Sequence, residues 1–159
     1  MADKVKHCAR CSNVMEPAQL DRLSAGEPPL RVSMLGFPLL KCVKGHAAPV
    51  HRDFMVWLLR TLRERAAAEI PGGEAKGMLF KKYHCACGAQ LPAAPGRDGA
   101  FTLEIAFEGA PAFKAEIVTP LYRCPSCGKE QARSAAELAA KVPETIAALN
   151  DAAGFPHSG

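Results

Sequence analysis

Seven cysteines and one histidine fall into two sets of four, and no other feature constrains the folding of this chain as tightly. The first set is Cys8 and Cys11, followed by Cys42 and His46. The second is Cys85 and Cys87, followed by Cys124 and Cys127. Soft donors in close pairs, with a second pair about thirty residues further on, have the spacing that a tetrahedral Zn²⁺ requires. An odd number of cysteines excludes complete disulfide pairing, and neighbours this close in sequence make poor structural bridges. With His46 as the eighth donor no cysteine is left over. The expectation is two Zn²⁺ per chain, each held in a closed site. His7 and His51 are the alternatives to His46: one adjoins a ligand, the other stands at an expected helix start.

The two sets sit in a duplicated sequence. His7-Cys8-Ala9-Arg10-Cys11 is echoed by His84-Cys85-Ala86-Cys87, and Pro38-Leu39-Leu40-Lys41-Cys42 by Pro120-Leu121-Tyr122-Arg123-Cys124, in the same order. Each copy reads as knuckle, loop, hairpin, knuckle and helix. The expected class is α+β, with one zinc-ribbon-like unit over residues 1–73 and a second over residues 78–159. Units of about 75 residues are small for self-sufficient cores and commonly lean on a metal.

Strand signals fill the space between knuckles. Residues 30–35 alternate apolar and polar, and Gly36-Phe37-Pro38 reads as a bend. In the second copy residues 101–107 alternate, Glu108 to Pro111 is a turn, and residues 113–118 return. The Pro-, Ala- and Gly-rich stretch from Gln90 to Gly99 reads as a loop. A helix is expected over residues 51–68, where Phe54, Trp57, Leu58 and Leu62 recur at helical spacing, ending at Ile70-Pro71-Gly72-Gly73. Ser134-Ala135-Ala136-Glu137 has the capping-box pattern, and Pro143 is expected to begin a separate helical segment. The tail from Gly154 to Gly159 is expected to fray.

Knuckle chemistry is sharpest in Cys124-Pro125-Ser126-Cys127-Gly128-Lys129. Proline stiffens the turn, and glycine admits the left-handed backbone that points amides at sulfur. Lys82, Arg123 and Lys129 can balance thiolate charge. This segment resembles the knuckle of zinc-ribbon and rubredoxin-like proteins, which implies a hairpin-borne four-sulfur site. The missing spacer in Cys85-Ala86-Cys87 departs from the rubredoxin pattern, and soft S₄ sites alone do not separate zinc from iron. Residues 85–128, with Cys-x-Cys-Gly, a long hairpin and Cys-Pro-x-Cys-Gly, also resemble the small zinc-binding subunit of acetone- and acetophenone-type carboxylases. That resemblance implies an accessory chain beside larger catalytic subunits.

Composition excludes several other classes. The longest strongly apolar run, residues 54–59, is far shorter than the roughly twenty residues of a membrane-spanning helix. The N-terminal residues lack the apolar core of a secretory signal, so a cytoplasmic location with reduced cysteines is expected, and no membrane partner. No phosphate loop, nucleophile elbow or readable carboxylate pair is present, so intrinsic catalysis is not expected. The net charge is +4. Its excess lies in residues 1–73, with 11 Lys/Arg against 7 Asp/Glu, whereas residues 74–159 hold 9 of each. Two partner classes follow. The apolar stripes of the helices suit a larger protein subunit. Lys4, Lys6, Arg10, Lys41 and Lys44, with Arg60, Arg63 and Arg65, suit nucleic acid, although aromatics for base stacking are few.

Overall fold

A computed structural model of the chain describes residues 6–77 and 81–156; Lys4 and the last three residues lie outside them. The strands are β1 (Glu16–Glu27), β2 (Leu30–Lys41), β3 (Ala47–Ala48), β4 (Glu74–Lys76), β5 (Lys82–His84), β6 (Arg97–Ile105), β7 (Phe113–Arg123) and β8 (Glu130–Gln131). The helices are α1 (Phe54–Glu69) and α2 (Ala135–Ala152). The class is α+β, as expected.

Two long hairpins, β1–β2 and β6–β7, join edge to edge into one antiparallel sheet ordered β1-β2-β7-β6. The short strands β3 and β8 add to β2 and β7, and β4 pairs with β5 separately. The junction runs from Arg31 opposite Val118 to Leu35 opposite Lys114. It gives the duplication a geometry. Cys42 and Cys124 are 82 positions apart (124 − 42). Moving each partner of the Ser33–Glu116 pair by that offset, one forward and one back, gives Ala115 and Met34, which also pair. The halves are therefore related by a pseudo-two-fold axis through the β2–β7 junction.

Alternation along the strands decides the core. In β7 the residues Phe113, Ala115, Ile117, Thr119 and Leu121 are buried, facing the helices, while Lys114 is exposed and Glu116 and Val118 are half-buried. Period-two burial of this kind is what one covered face imposes. Helices α1 and α2 pack on each other over that face. Their apolar stripes, Phe54, Leu58, Leu62 and Ala66 in α1 and Leu138, Val142, Ile146 and Leu149 in α2, enter a single core with residues of both hairpins. Phe37 is at its centre, with ring centroids 5.6 Å from Phe54, 5.7 Å from Phe113 and 6.1 Å from Phe155.

Each helix reaches across to the hairpin of the other copy. Helix α2 lies over β1 and β2. Helix α1 sends Phe54 to Phe107 and Phe113, at 5.5 and 5.9 Å, and the Arg65 guanidinium to the Glu104 carbonyl. The two copies thus share one core. Cores of this kind overcome the size problem of two separate small units by pooling their apolar area.

Local readings differ from the sequence at several places, among them the tail, where Phe155, within the stretch expected to fray, is buried beside Phe37. The first hairpin turns at Pro28-Pro29, joined by a cis peptide, and not at Gly36; β2 runs through Gly36 to Lys41. Strand β1 occupies residues 16–27, within the stretch between knuckle and hairpin expected as loop, and only Leu23 in it is buried. Strand β6 begins inside the stretch read as a loop, at Arg97. Helix α2 runs unbroken through Pro143. Interior proline costs about 3 kcal/mol, but Pro143 sits on the exposed face while the buried stripe continues either side. Packing of that stripe outweighs the lost hydrogen bond. The stop at Ile70 follows its position before Pro71, which disfavours helical backbone; Ile70 is extended, with φ −97° and ψ 117°.

Candidate metal centres

All four knuckles are closed by the same pair of backbone hydrogen bonds. The amide of each leading cysteine donates to a carbonyl four or five residues on: Cys8 to Asn13, Cys42 to His46, Cys85 to Ala89 and Cys124 to Lys129. A second amide donates back to that cysteine's carbonyl, from Ser12, Gly45, Gly88 and Gly128 at 2.8 to 2.9 Å. Those four residues all have positive φ, of 64°, 87°, 96° and 77°. Three are glycine, the residue for which this region carries no Cβ penalty; Ser12 accepts the strain.

These turns place the donor atoms at the two ends of the hairpins. Cys8, Cys11, Cys42 and His46 form one group and Cys85, Cys87, Cys124 and Cys127 another, each with its ligand atoms within 4.8 Å of one another. His7 and His51 stand apart from the first group. The His7 Nδ1 faces the Ser12 carbonyl at 3.2 Å, and the His51 ring stacks on Trp57 with centroids 4.6 Å apart. His84 lies in β5, where its buried Nδ1 has no hydrogen-bond partner.

The donor geometry fits a tetrahedral ion. Four sulfurs about 2.3 Å from a central Zn²⁺ are about 3.8 Å apart along each edge, and a sulfur–imidazole edge is slightly shorter. The sulfurs of Cys85 and Cys127 are 3.6 Å apart, those of Cys87 and Cys124 3.5 Å, and those of Cys11 and Cys42 3.6 Å. The Cys8 sulfur is 3.4 Å from the His46 Nδ1. Disulfides would bring sulfurs to about 2.05 Å, so these cysteines are gathered and not bridged. Both groups could hold a metal ion.

Amide donors surround the sulfurs and set their acidity. The Cys11 thiol is lowered to about 6, chiefly by the Asn13 backbone amide and, against the effect of burial, by the Asn13 side chain 3.1 Å away. The Cys85 thiol is also lowered to about 6, by the Cys87 backbone amide and then by the Gln131 side-chain amide at 3.1 Å. Backbone amides, Cys127 foremost, lower Cys124. For Cys87 the Ala89 amide pulls downward, but the Cys124 and Cys85 sulfurs together outweigh it and push the thiol up to about 11.

Asn13 and Gln131 bond to candidate ligands, a contact that spacing alone does not reveal. Asn13 follows Cys11 by two positions, a local signal; Gln131 lies in β8 and is 1% exposed, so only strand pairing with Tyr122 brings it to Cys85. Of the cations expected to balance thiolate charge, Lys82, Arg123 and Lys129 make no ion pair among the described residues, and Arg123 acts electrostatically on Glu130. The Arg97 guanidinium binds Glu130 at 2.7 Å and holds its carboxyl below the usual range. Arg133 lies 4.6 Å over the Tyr83 ring and is 2.9 Å from Glu137, locking β5 to the start of α2.

A comparison with protein-family models, curated proteins and solved structures found no match. Among the described residues no helix is long and apolar enough to cross a membrane.

Proposed function

We propose that this chain is a structural two-zinc protein that acts as a small accessory subunit of a larger protein complex. The observation that carries the zinc assignment is the closure of both donor sets: four donors each, with edges of 3.4 to 3.6 Å. Closed four-donor sites are structural in style, because catalytic zinc keeps a position for water or substrate. The first centre is held by Cys8, Cys11, Cys42 and His46, the second by Cys85, Cys87, Cys124 and Cys127. Bound metal would fasten the ends of each hairpin to the segment leading into the following helix.

The accessory role is supported by what surrounds these centres. Among the described residues near them, the Asn13 and Gln131 side chains bond to sulfur, Arg97 pairs with Glu130, and Ser134 caps α2. Metal centres that only hold shape leave the outer surfaces as the working parts of the molecule. A narrower form of the reading, a zinc-binding subunit of a multi-subunit carboxylase, rests on the ligand order of residues 85–128 alone. Elemental analysis of the purified chain tests the first claim: two zinc per chain is expected, and an iron chromophore overturns it. Copurification from the native source tests the second, with a larger protein expected in fixed proportion.

A further inference from the structure

The two centres are built by the same turns, yet their surfaces differ. Large apolar side chains exposed among the described residues are Val14, Val43 and Val56, and two of these three sit on the first centre's knuckles. Val43 is 85% exposed and Val14 47%. At the second centre the positions between ligands are Ala86, Pro125 and Ser126. The metal-binding turn therefore does not require valine at its tip.

Val14 and Val43 line one open cleft of about 520 Å³, together with Pro17 and Lys41. A second cleft of about 120 Å³ lies beside Cys8 and His46, where Met15 and Leu40 meet Lys6, His7 and Arg10. Arg10, Lys41 and Lys44 are exposed, and none makes an ion pair within the described residues. Among the described residues, Glu16 is the one acidic residue lining either cleft. This end of the molecule is cationic and aliphatic at once.

We infer that the clefts flanking the first metal centre are the docking surface for an acidic segment with aliphatic side chains, carried by a larger protein partner. The inference rests on the accessory-subunit reading and names the partner's chemistry. Unpaired cations select an acidic sequence and speed its approach, while desolvated valines supply the contact that persists at higher salt. Nucleic acid would use the same cations, but among the described residues neither cleft has a Phe, Tyr or Trp in its lining on which bases could stack. An aliphatic rim fits leucine or valine side chains better than bases.

The test uses the full, metal-loaded chain and three probes: a labelled peptide of alternating aspartate and leucine, the matching lysine–leucine peptide, and oligothymidylate. The acidic peptide is expected to bind, and the other two are not. Val14→Ser with Val43→Ser, and separately Lys41→Glu with Lys44→Glu, should each weaken binding at least about tenfold, while Val56→Ser changes nothing. Metal content and melting temperature of each variant confirm that it is folded. Equal binding by all variants, or preference for oligothymidylate, overturns the docking surface. Copurification separates this from the parent reading. A large subunit retained by wild type and lost by the Lys41→Glu/Lys44→Glu chain supports the surface; one retained by both overturns it and leaves the accessory role standing. If wild type brings down no larger protein, the accessory role fails and the peptide titration decides the surface by itself.

Discussion

Ser33 of β2 faces Glu116 of β7 across the seam that joins the two copies, and its side chain is bonded to Ser24 at 2.8 Å. The pair lies beside the pseudo-two-fold axis, so the neighbouring Met34–Ala115 pair is its image. Everything flanking that seam is shared. The sheet crosses it, the core spans it, α2 lies over the first copy's hairpin, and α1 sends Phe54 and Arg65 to the second copy.

Shared packing predicts one unfolding transition for the metal-loaded chain and not two. A structural zinc contributes an apparent ~10–16 kcal/mol at neutral pH, comparable to the ~5–15 kcal/mol stability of a typical domain. Cys124→Ser should therefore release the second metal and also loosen α1, whose Phe54 packs on Phe107 and Phe113. Calorimetry and amide hydrogen exchange read both effects. Normal protection of residues 54–69 in that variant would falsify the coupling.

Phe37 is fully buried among three other aromatic rings. Phe37→Ala should destabilise the chain by about 3–5 kcal/mol through lost burial and the cavity left behind. Urea unfolding measures it. A cost below about 1 kcal/mol would mean that the rings are not packed as described.

Ser12 alone among the four knuckle residues of its kind is not glycine, and its φ is 64°. Ser12→Gly should relieve strain and stabilise the loaded protein by up to about 1 kcal/mol. Thermal denaturation with saturating zinc tests it, and a fall in stability counts against the common turn.

Gln131 donates its side-chain amide to the Cys85 sulfur. Gln131→Leu should raise the Cys85 thiol above its value of about 6 and weaken zinc at the second centre by about 10–100-fold, the usual cost of losing an outer hydrogen bond. The first centre, with Asn13 beside Cys11, is expected to be unaffected. Competition against a zinc chelator distinguishes the two sites.

Acid should strip the metals in a definite range. Cys11 and Cys85 are lowered to about 6 from an ordinary value near 9. A depressed acid contributes stability that is complete above its unfolded value and is lost as pH falls through its folded value. In the metal-free chain that contribution is therefore lost as pH drops through about 6, while Cys87, pushed up to about 11, is a neutral thiol throughout that range; bound metal competes with these protons and moves its own release to lower pH. Zinc release followed with a chromophoric chelator should be negligible at neutral pH and grow below it. Zinc loss that does not increase as pH falls would refute the assignment of these thiolates.

What the sequence determined by itself is local. Close pairs of soft donors, the glycines after them and the capping box at Ser134 act over a few residues, so spacing and residue type suffice to read them. The stripe of α1 was legible for the same reason, as was the alternation over residues 101–107, which begins in β6. What only the tertiary structure decided is how the copies meet. Nothing in the composition of β2 says that its partner is β7, because an antiparallel strand satisfies its amides equally on many edges. Neither does helical periodicity say which hairpin a helix covers. That choice comes from the fit of Phe37, Phe54 and Phe113 in one core, and the same long-range pairing brings Gln131 to Cys85 and carries α2 through Pro143. Short-range chemistry is written in neighbouring letters; packing is a property of surfaces that exist only once the chain has folded.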